Sequence, residues 1–192
     1  AYRDTRPRKQ ATTASRSSRM PQVCMKTDEG LVIVYGHIRY QNWPGVQIVD
    51  ETENRGRGVV AVDYFKKGDI IMDYHGNEVK KSVANEMEAT DDDQDRRSDY
   101  LFDLPELKIT IDSSAEFCSC HPRLRTMGRL INWARSGTAE ANAKATVYEL
   151  KKLNKMVGHI PRGLLFVASK DISPGDEIRC DYGNKRCEDL FQ

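Results

Sequence analysis

Two distant stretches of the chain share one order of residues, and this repeat limits what the chain can fold into. Residues 59–76, VVAVDYFKKGDIIMDYHG, and residues 165–183, LFVASKDISPGDEIRCDYG, each run from an apolar strand through a polar connection and a Gly-Asp turn into a second strand. Gly68 and Gly175 hold equivalent places, where glycine gives the backbone the freedom that a tight reversal needs. Both stretches are therefore predicted to be β-structure, either as related halves or as two ordinary hairpins.

The rest of the chain also favours short strands. Apolar, β-branched runs of four to six residues, bounded by glycine, proline or charged residues, are typical of strands, and they occur at 31–35, 46–50, 58–62 and 69–74. One helix is predicted over residues 78–90, because Val79, Val83 and Met87 are four residues apart and form a narrow apolar stripe. A mainly β fold with few short helices is expected.

The amino-terminal residues differ in character from the rest. Residues 1–22 hold six basic side chains, one acidic side chain and almost no large aliphatic groups, so they cannot repay the entropy cost of ordering. We expect a basic disordered arm at 1–22, a flanking segment at 23–45, one catalytic-sized domain at 46–186 and a short tail at 187–192. The arm could contact DNA phosphates.

Membrane insertion and a disulfide framework are both disfavoured. The longest apolar runs, 31–35 and 163–168, are far too short to span a bilayer. Five cysteines are an odd number, and only Cys118 and Cys120 are close in sequence, so free thiols in the cytosol or nucleus are expected.

Four blocks in a fixed order carry a family resemblance. They are Arg55–Val59 (RGRGV), Tyr100–Leu104 (YLFDL), Gly128–Asn132 (GRLIN), and Gly175–Ile178 (GDEI) followed by Asp181–Gly183 (DYG). Together they resemble the SET domain of protein lysine methyltransferases, which use S-adenosylmethionine. The resemblance implies several small curled β-sheets with a C-terminal pseudoknot.

A closer resemblance is to one subfamily. Asp73–Gly76 (DYHG), the GRLIN block and the lack of a cysteine-rich flank are similar to the small, zinc-free, nucleosome-directed enzymes that monomethylate the histone four tail. This implies a histone tail or nucleosome as the partner, and a location in the nucleus on chromosomes.

The resemblance also implies the catalytic residues. Tyr182 matches the family tyrosine whose hydroxyl lies beside the transferring methyl, and Tyr74 matches a second wall of the lysine channel. Aromatic walls desolvate the lysine and lower its pKa, so that the amine can be neutral and nucleophilic. Each tyrosine could instead be a packed core residue with a satisfied hydroxyl.

Six residues are expected to bind the cofactor. Glycine at position 58 lets the backbone approach closely, and a charge-assisted pair suits the carboxylate and amino group of S-adenosylmethionine. Trp133 stands where the family usually has histidine and could stack on the adenine, or weaken cofactor binding. The six are Arg57, Gly58, Tyr100, Arg129, Asn132 and Trp133.

Two residues are expected to meet the substrate. Asp103 would offer an acidic partner to a basic tail, although it could be plain surface charge. Cys180 stands where the family normally has an aromatic residue, so a roomier pocket and products beyond monomethyllysine are predicted.

No metal is expected. Cys118, Cys120 and His121 are close in sequence, but the zinc site of the family needs three cysteines after the catalytic tyrosine and one after the asparagine motif. Only Cys187 is available for it.

The sequence leaves three functions open. The first is methyl transfer to a lysine of a histone-like tail, and the second is a SET pseudoenzyme that binds histones or nucleosomes, motivated by Trp133 and Cys180. The third, a basic-arm nucleic-acid binder, accounts only for the first residues. Residues 8–12, RKQAT, also look like a histone tail, and Lys9 could be automethylated.

Overall fold

A computed structural model describes residues 28–52, 56–90, 97–149 and 162–182. The predicted basic arm, the tail at 187–192 and the histone-like stretch around Lys9 lie outside these residues. So do Arg55 and Gly183 of the family blocks.

The described chain forms three small sheets and few helices. In chain order the elements are α1 (Asp28–Tyr40), β1 (Val46–Thr52), β2 (Gly56–Ala61), β3 (Ile70–Asp73), β4 (Asn77–Lys80), α2 (Lys81–Thr90), β5 (Leu101–Leu104), β6 (Ile109–Asp112), β7 (Asn132–Trp133), β8 (Ala143–Glu149), β9 (Arg162–Ala168) and β10 (Arg179–Asp181). Single 3₁₀ turns occupy Arg97–Tyr100, Pro105–Leu107 and Gly128–Leu130. The expected mainly β class is confirmed.

The sheets are built as β1-β2, β3-β9-β8-β10-β7 and β4-β6-β5. β10 lies between β7 and β8 and runs parallel to both, with Cys180 opposite Trp133 on one side and Ala143 on the other. The last described strand is thus inserted between two earlier ones, as the C-terminal crossing implied by the resemblance requires. It also brings Tyr182, the residue after β10, beside the segment that contains Asn132.

The internal repeat is a reciprocal pairing rather than two independent hairpins. The Gly68 amide donates to the Ala168 carbonyl at 2.8 Å, and the Gly175 amide donates to the Ala61 carbonyl at 2.8 Å. Each donor and each acceptor therefore has its counterpart 107 residues along the chain, at 68 and 175 and at 61 and 168. Gly68 and Gly175 have φ angles of 95° and 92°, so both turns need the left-handed conformation that glycine adopts easily.

The first predicted strand, at 31–35, is wrong, because these residues lie within α1. The β-branched run favours a strand locally, but Val34 and Ile38 are four residues apart on one helical face and are 0% and 1% exposed. Val32, on another face, is 51% exposed. Burial of the helix face against the sheet overrides the local strand preference.

The helix predicted at 78–90 exists only from Lys81, because β4 ends at Lys80. Val79 pairs with Thr110 in the sheet, so it cannot belong to a helical stripe. Within α2 the fully buried residue is Ala84, while Val83 is 41% exposed. The four-residue spacing identified the helix but not its buried face.

The core lies where α1, β3 and β9 meet. Trp43, Ile71, Met72, Leu165 and Phe166 are at most 2% exposed and belong to one cluster. This cluster supports the β3–Tyr74 end of the sheet, where the aromatic residues described below are found.

Among the described residues, neither α1 nor α2 has the length and apolar character that a membrane-spanning helix needs.

Candidate active site

Four aromatic rings converge where the chain leaves β3 and β10. The centroid of the Tyr74 ring lies 5.2 Å from that of Phe102, 6.1 Å from that of Phe166 and 6.4 Å from that of Tyr182. The rings of Phe102 and Tyr182 are 5.6 Å apart with their planes at 69°. Such edge-to-face contacts make a rigid apolar wall. Of the two predicted catalytic residues, both belong to this cluster.

Tyr74 and Tyr182 use their hydroxyls differently. The Tyr74 hydroxyl donates to the Tyr100 carbonyl at 2.6 Å, and burial raises the pKa of Tyr74 well above its usual value. Tyr74 is only 4% exposed, whereas Tyr182 is partly buried at the edge of the cluster. The Tyr182 hydroxyl donates to the Ile131 carbonyl, directly before Asn132. Tyr182 thus joins the aromatic wall to the predicted cofactor segment.

Asn132 is held by a ring of acceptors from three parts of the chain. Its side-chain nitrogen donates to Glu177 Oε1 at 2.7 Å, to Thr52 Oγ1 at 3.1 Å and to the Arg57 carbonyl at 3.4 Å. Glu177 also accepts from Arg179 Nε at 2.7 Å through its second oxygen. The orientation of the Asn132 amide is therefore fixed by neighbours that lie far away in sequence.

Gly58 is required by this arrangement. A Cβ at position 58 would lie 2.5 Å from Thr52 Cγ2, 3.0 Å from Glu177 Oε1 and 3.1 Å from Asn132 Nδ2. The missing Cβ was expected to make room for the cofactor, but the neighbours that Gly58 meets among the described residues are side chains of the same chain. Arg57 is 45% exposed and lies 3.5 Å from Glu116, so its guanidinium is at the surface.

The guanidinium of Arg129 is bound to other residues of the chain, and the cofactor role expected for it stays a prediction. Its guanidinium donates from Nε to the Ser113 carbonyl at 2.7 Å and from Nη2 to the Ser114 carbonyl at 2.8 Å. The same group lies 4.1 Å above the ring of Tyr100, and the residue is only 9% exposed. Because the guanidinium binds the Ser113 and Ser114 carbonyls and stacks on Tyr100, Arg129 positions the Gly128–Leu130 turn and the Tyr100 ring.

Trp133 and Cys180 are opposite each other in register between β7 and β10. Trp133 is partly buried, beside the fixed amide of Asn132, so its adenine role stays a prediction. Cys180 is 0% exposed and burial raises the pKa of its thiol to about 12. The thiol therefore stays protonated at neutral pH. The small Cys180 side chain belongs to the buried core cluster, and Tyr182 packs against this cluster.

Asp103 lies on β5, an outer strand of the three-stranded sheet. Its carboxylate accepts from Thr110 Oγ1 at 2.6 Å and forms an ion pair with Lys81. These partners offset much of the charge that was expected to attract a basic tail. The outer backbone edge of β5 is paired with no other strand of the described residues.

Two contributors to the site were not identified from sequence. Phe102 packs between Tyr74 and Tyr182, and Glu177 holds Asn132. Both residues belong to sequence blocks that carry the family resemblance, and this position could have identified them as candidate site residues. A cleft of about 600 Å³ also reaches Thr52 and Glu177, but neither Tyr74 nor Tyr182 lines it.

Comparison with known proteins identifies the family. The sequence pattern of the SET domain matches residues 56–183. The chain belongs to the SET-domain family. The match includes β2, the aromatic cluster, Asn132 with its partner Glu177, and Tyr182, so the geometry described above is that of a SET domain.

The SET-domain chain is similar to curated methyltransferases. It is 31% identical over 144 residues to N-lysine methyltransferase KMT5A of Xenopus tropicalis, covering 74% of this chain and 37% of that protein. It is 30% identical over 140 residues to histone-lysine N-methyltransferase Set8 of Drosophila melanogaster, covering 71% of this chain and 17% of that protein. The chain therefore spans well under half the length of these relatives.

A solved structure supports the same fold. CpSET8 from Cryptosporidium superposes with a TM-score of 0.56 at 25% identity, covering 86% of this chain and 70% of that one. The SET-domain fold implied by the four sequence blocks is confirmed.

Proposed function

We propose that this SET domain transfers a methyl group from S-adenosylmethionine to a lysine side chain of a histone or histone-like tail. The observation that carries the proposal is the joining of the Tyr74–Phe102–Tyr182 rings to Asn132 through the hydrogen bond from Tyr182 to the Ile131 carbonyl. An apolar, aromatic wall for an amine is thereby adjacent to a polar segment suited to a zwitterion.

The residues around Asn132 fit the amino-acid end of S-adenosylmethionine. An ammonium group requires acceptors, and the Asn132 amide, Thr52 hydroxyl and Glu177 carboxylate supply oxygens in one place. A carboxylate requires a donor, and the partly exposed Arg57 guanidinium suits it better than the buried Arg129. Trp133 would offer an aromatic face to the adenine, next to Asn132 in sequence. When bound, the cofactor supplies an electrophilic methyl group on a sulfonium.

The chain's own contribution is positioning and desolvation. Tyr74 and Phe102 would exclude water from the lysine side chain, which disfavours its charged form and lowers its pKa. The Tyr182 hydroxyl donates a hydrogen bond to the Ile131 carbonyl, so its oxygen can accept a hydrogen bond from the amine. An amine held by this oxygen is oriented for an in-line displacement, for which orientation supplies much of the rate enhancement.

The substrate is proposed to be a basic tail that adds to the edge of a sheet. β5 is an outer strand, and an extended peptide can pair with such an edge through backbone hydrogen bonds. The similarity to Set8, named a histone-lysine methyltransferase, supports a histone tail or nucleosome as the partner, with the histone four tail as the first candidate. A nuclear, chromosomal location and DNA contacts by the basic arm belong to the same proposal.

The test is transfer of labelled methyl from S-adenosylmethionine to recombinant nucleosomes and to peptides of each core histone tail. We expect label on a lysine, identified by mass spectrometry, at a rate that rises with enzyme concentration. Calorimetry with S-adenosylmethionine alone is the companion measurement. Cofactor binding without transfer to any substrate would favour the pseudoenzyme, and absence of cofactor binding would contradict the proposal.

A further inference from the structure

Four side chains with metal-binding atoms meet on the side of β3 that faces α1. His75 follows β3, while Cys118, Cys120 and His121 stand in the connection between β6 and the Gly128–Leu130 turn. One ligand atom from each of the four lies within 4.8 Å of all the others. The sequence showed three of these residues, but His75 is 43 residues before Cys118 and only the fold brings it to them.

The distances approach those of a tetrahedral zinc site. His75 Nε2 lies 3.1 Å from Cys120 Sγ, Cys118 Sγ lies 3.1 Å from Cys120 Sγ, and Cys118 Sγ lies 3.3 Å from His121 Nδ1. With Zn–S near 2.3 Å and Zn–N near 2.0 Å, the edges of such a tetrahedron are roughly 3.5–3.8 Å. These three distances are within about 1 Å of the edges of such a tetrahedron, and all four atoms lie within 4.8 Å of one another.

The hydrogen bonds of the two histidines point to a metal independently of these distances. His75 Nδ1 lies 2.9 Å from Asp73 Oδ2, and His121 Nε2 lies 2.9 Å from the Arg39 carbonyl. Both acceptors require an N–H, so in each neutral ring the other nitrogen carries the lone pair. That nitrogen is the one directed at the cysteines. Zinc-bound histidines almost always donate their second N–H to a carboxylate or a backbone carbonyl in this way.

Asp73 fixes the orientation of the His75 ring. It is 2% exposed and accepts from Gln41 Nε2, at 3.1 Å to Oδ2, and from Trp43 Nε1, at 3.0 Å to Oδ1, as well as from His75. Gln41 and Trp43 are uncharged, and a buried carboxylate requires positive charge nearby. The His75 imidazole is the group beside Asp73 that can carry this charge, either with a second proton or with a bound zinc ion.

We propose that His75, Cys118, Cys120 and His121 bind one structural zinc ion. All four positions of the tetrahedron are protein atoms, so no open position is left for a reacting molecule and the ion is not catalytic. This location differs from the family zinc position considered in the sequence analysis, for which only Cys187 was available. The expectation of no metal is revised to this extent.

The ion would join three segments of the chain. It would link the turn after β3 to the 113–127 connection, with the end of α1 bound through the Arg39 carbonyl. The connection begins with Ser113 and Ser114, whose carbonyls hold Arg129. Zinc is therefore expected to stabilise the loop that positions Arg129 and Tyr100, whether or not the chain transfers methyl groups.

The first experiment measures zinc in the full chain, purified with reductant and without added metal, by mass spectrometry of the element. We expect one zinc per chain in the wild type and in Cys187→Ser, a matched cysteine control. Cys120→Ser should lose it, and because Cys120 is exposed this variant tests binding without disturbing the core. Replacement by cobalt should give the visible bands of a tetrahedral site with thiolate ligands in the first two proteins only.

A second variant separates a ligand role from a packing role. Asp73→Asn keeps the size of the side chain but weakens the bond to His75, and loss of such a partner lowers zinc affinity by about 10- to 100-fold. Circular dichroism with added zinc checks that this variant folds. Three results would each overturn the proposal: no zinc in the wild type, zinc retained by Cys120→Ser but lost by Cys187→Ser, or a Cys118–Cys120 disulfide in protein kept under reductant.

Discussion

The ring of Tyr182 lies across the ring of Tyr74, with the centroids 6.4 Å apart and the planes at 62°. The two residues follow β3, an outer strand of the five-stranded sheet, and β10, which lies between β8 and β7. Their hydroxyls diverge, since Tyr74 bonds to the Tyr100 carbonyl and Tyr182 to the Ile131 carbonyl. The proposed chemistry therefore assigns an apolar wall to the first tyrosine and a reactive hydroxyl to the second.

Tyr74→Phe tests the wall. The ring and its contacts with Phe102 and Phe166 remain, while one buried hydrogen bond is lost, at a cost of about 1 kcal/mol in the free energy of unfolding. Methyl transfer should fall by less than about tenfold, because the hydroxyl does not take part in the reaction. Urea unfolding and single-turnover transfer measure the two effects. A loss of transfer as large as that of a Tyr182 variant would contradict the assignment.

Gly58→Ala tests the packing around Asn132. The new methyl would lie 2.5 Å from Thr52 Cγ2, and overpacking of this kind costs about 1–3 kcal/mol. Thr52, which accepts from Asn132, must move, so the affinity for S-adenosylmethionine should fall as well, which calorimetry measures.

Gly36→Ala is the control for that change. Gly36 lies within α1 with no neighbouring atom within 4 Å of a built Cβ, so alanine should raise stability by about 0.5–1 kcal/mol. Equal effects of the two substitutions on stability and cofactor affinity would show that Gly58 has no special role.

Arg129→Lys tests the positioning role of Arg129. Lysine cannot reproduce two directed bonds to the Ser113 and Ser114 carbonyls or the stacking on Tyr100, so stability should fall by about 2 kcal/mol. Arg125→Lys is the matched control, because Arg125 is 71% exposed and its ion pair with Glu116 is worth less than about 1 kcal/mol. Unchanged stability in Arg129→Lys, with a selective loss of cofactor affinity, would restore the ligand role.

The product distribution tests Cys180. Cysteine is smaller than the aromatic residue usual in the family, and it packs at 0% exposure directly before Asp181 and Tyr182. We expect dimethyl- or trimethyllysine as well as monomethyllysine when the reaction is followed to completion by mass spectrometry. Monomethyllysine alone at long times would show that Cys180 does not enlarge the pocket.

Much of the fold could be predicted because the informative signals were local. The strands β1, β2 and β3 coincide with short β-branched runs that are bounded by turns. The turns at Gly68 and Gly175 can be predicted from their glycines. α1 could not be predicted this way. Its residues prefer strands locally, and its helical state follows from the burial of Val34 and Ile38, which depends on the rest of the structure.

The site was predictable in its residues and less so in its contacts. Tyr74 and Tyr182 could be named from family blocks, but the acceptors of Asn132 come from Thr52 and Glu177, which no local pattern connects. The partners of Arg129 are backbone carbonyls, which a sequence does not reveal. His75 lies within the DYHG block, yet its proximity to two cysteines exists only in three dimensions.

Methyl transfer by Tyr182→Phe tests the central claim most directly. Nucleosomes and histone tail peptides are supplied with labelled S-adenosylmethionine, and Tyr64→Phe, a change at an exposed tyrosine bonded to Asp171, is the matched control. The wild type and Tyr64→Phe should label a lysine at similar rates. Tyr182→Phe should be slower by at least about 100-fold while keeping its circular dichroism spectrum and cofactor affinity. Equal rates in Tyr182→Phe and wild type, or no transfer by a wild type that binds the cofactor, would contradict the account.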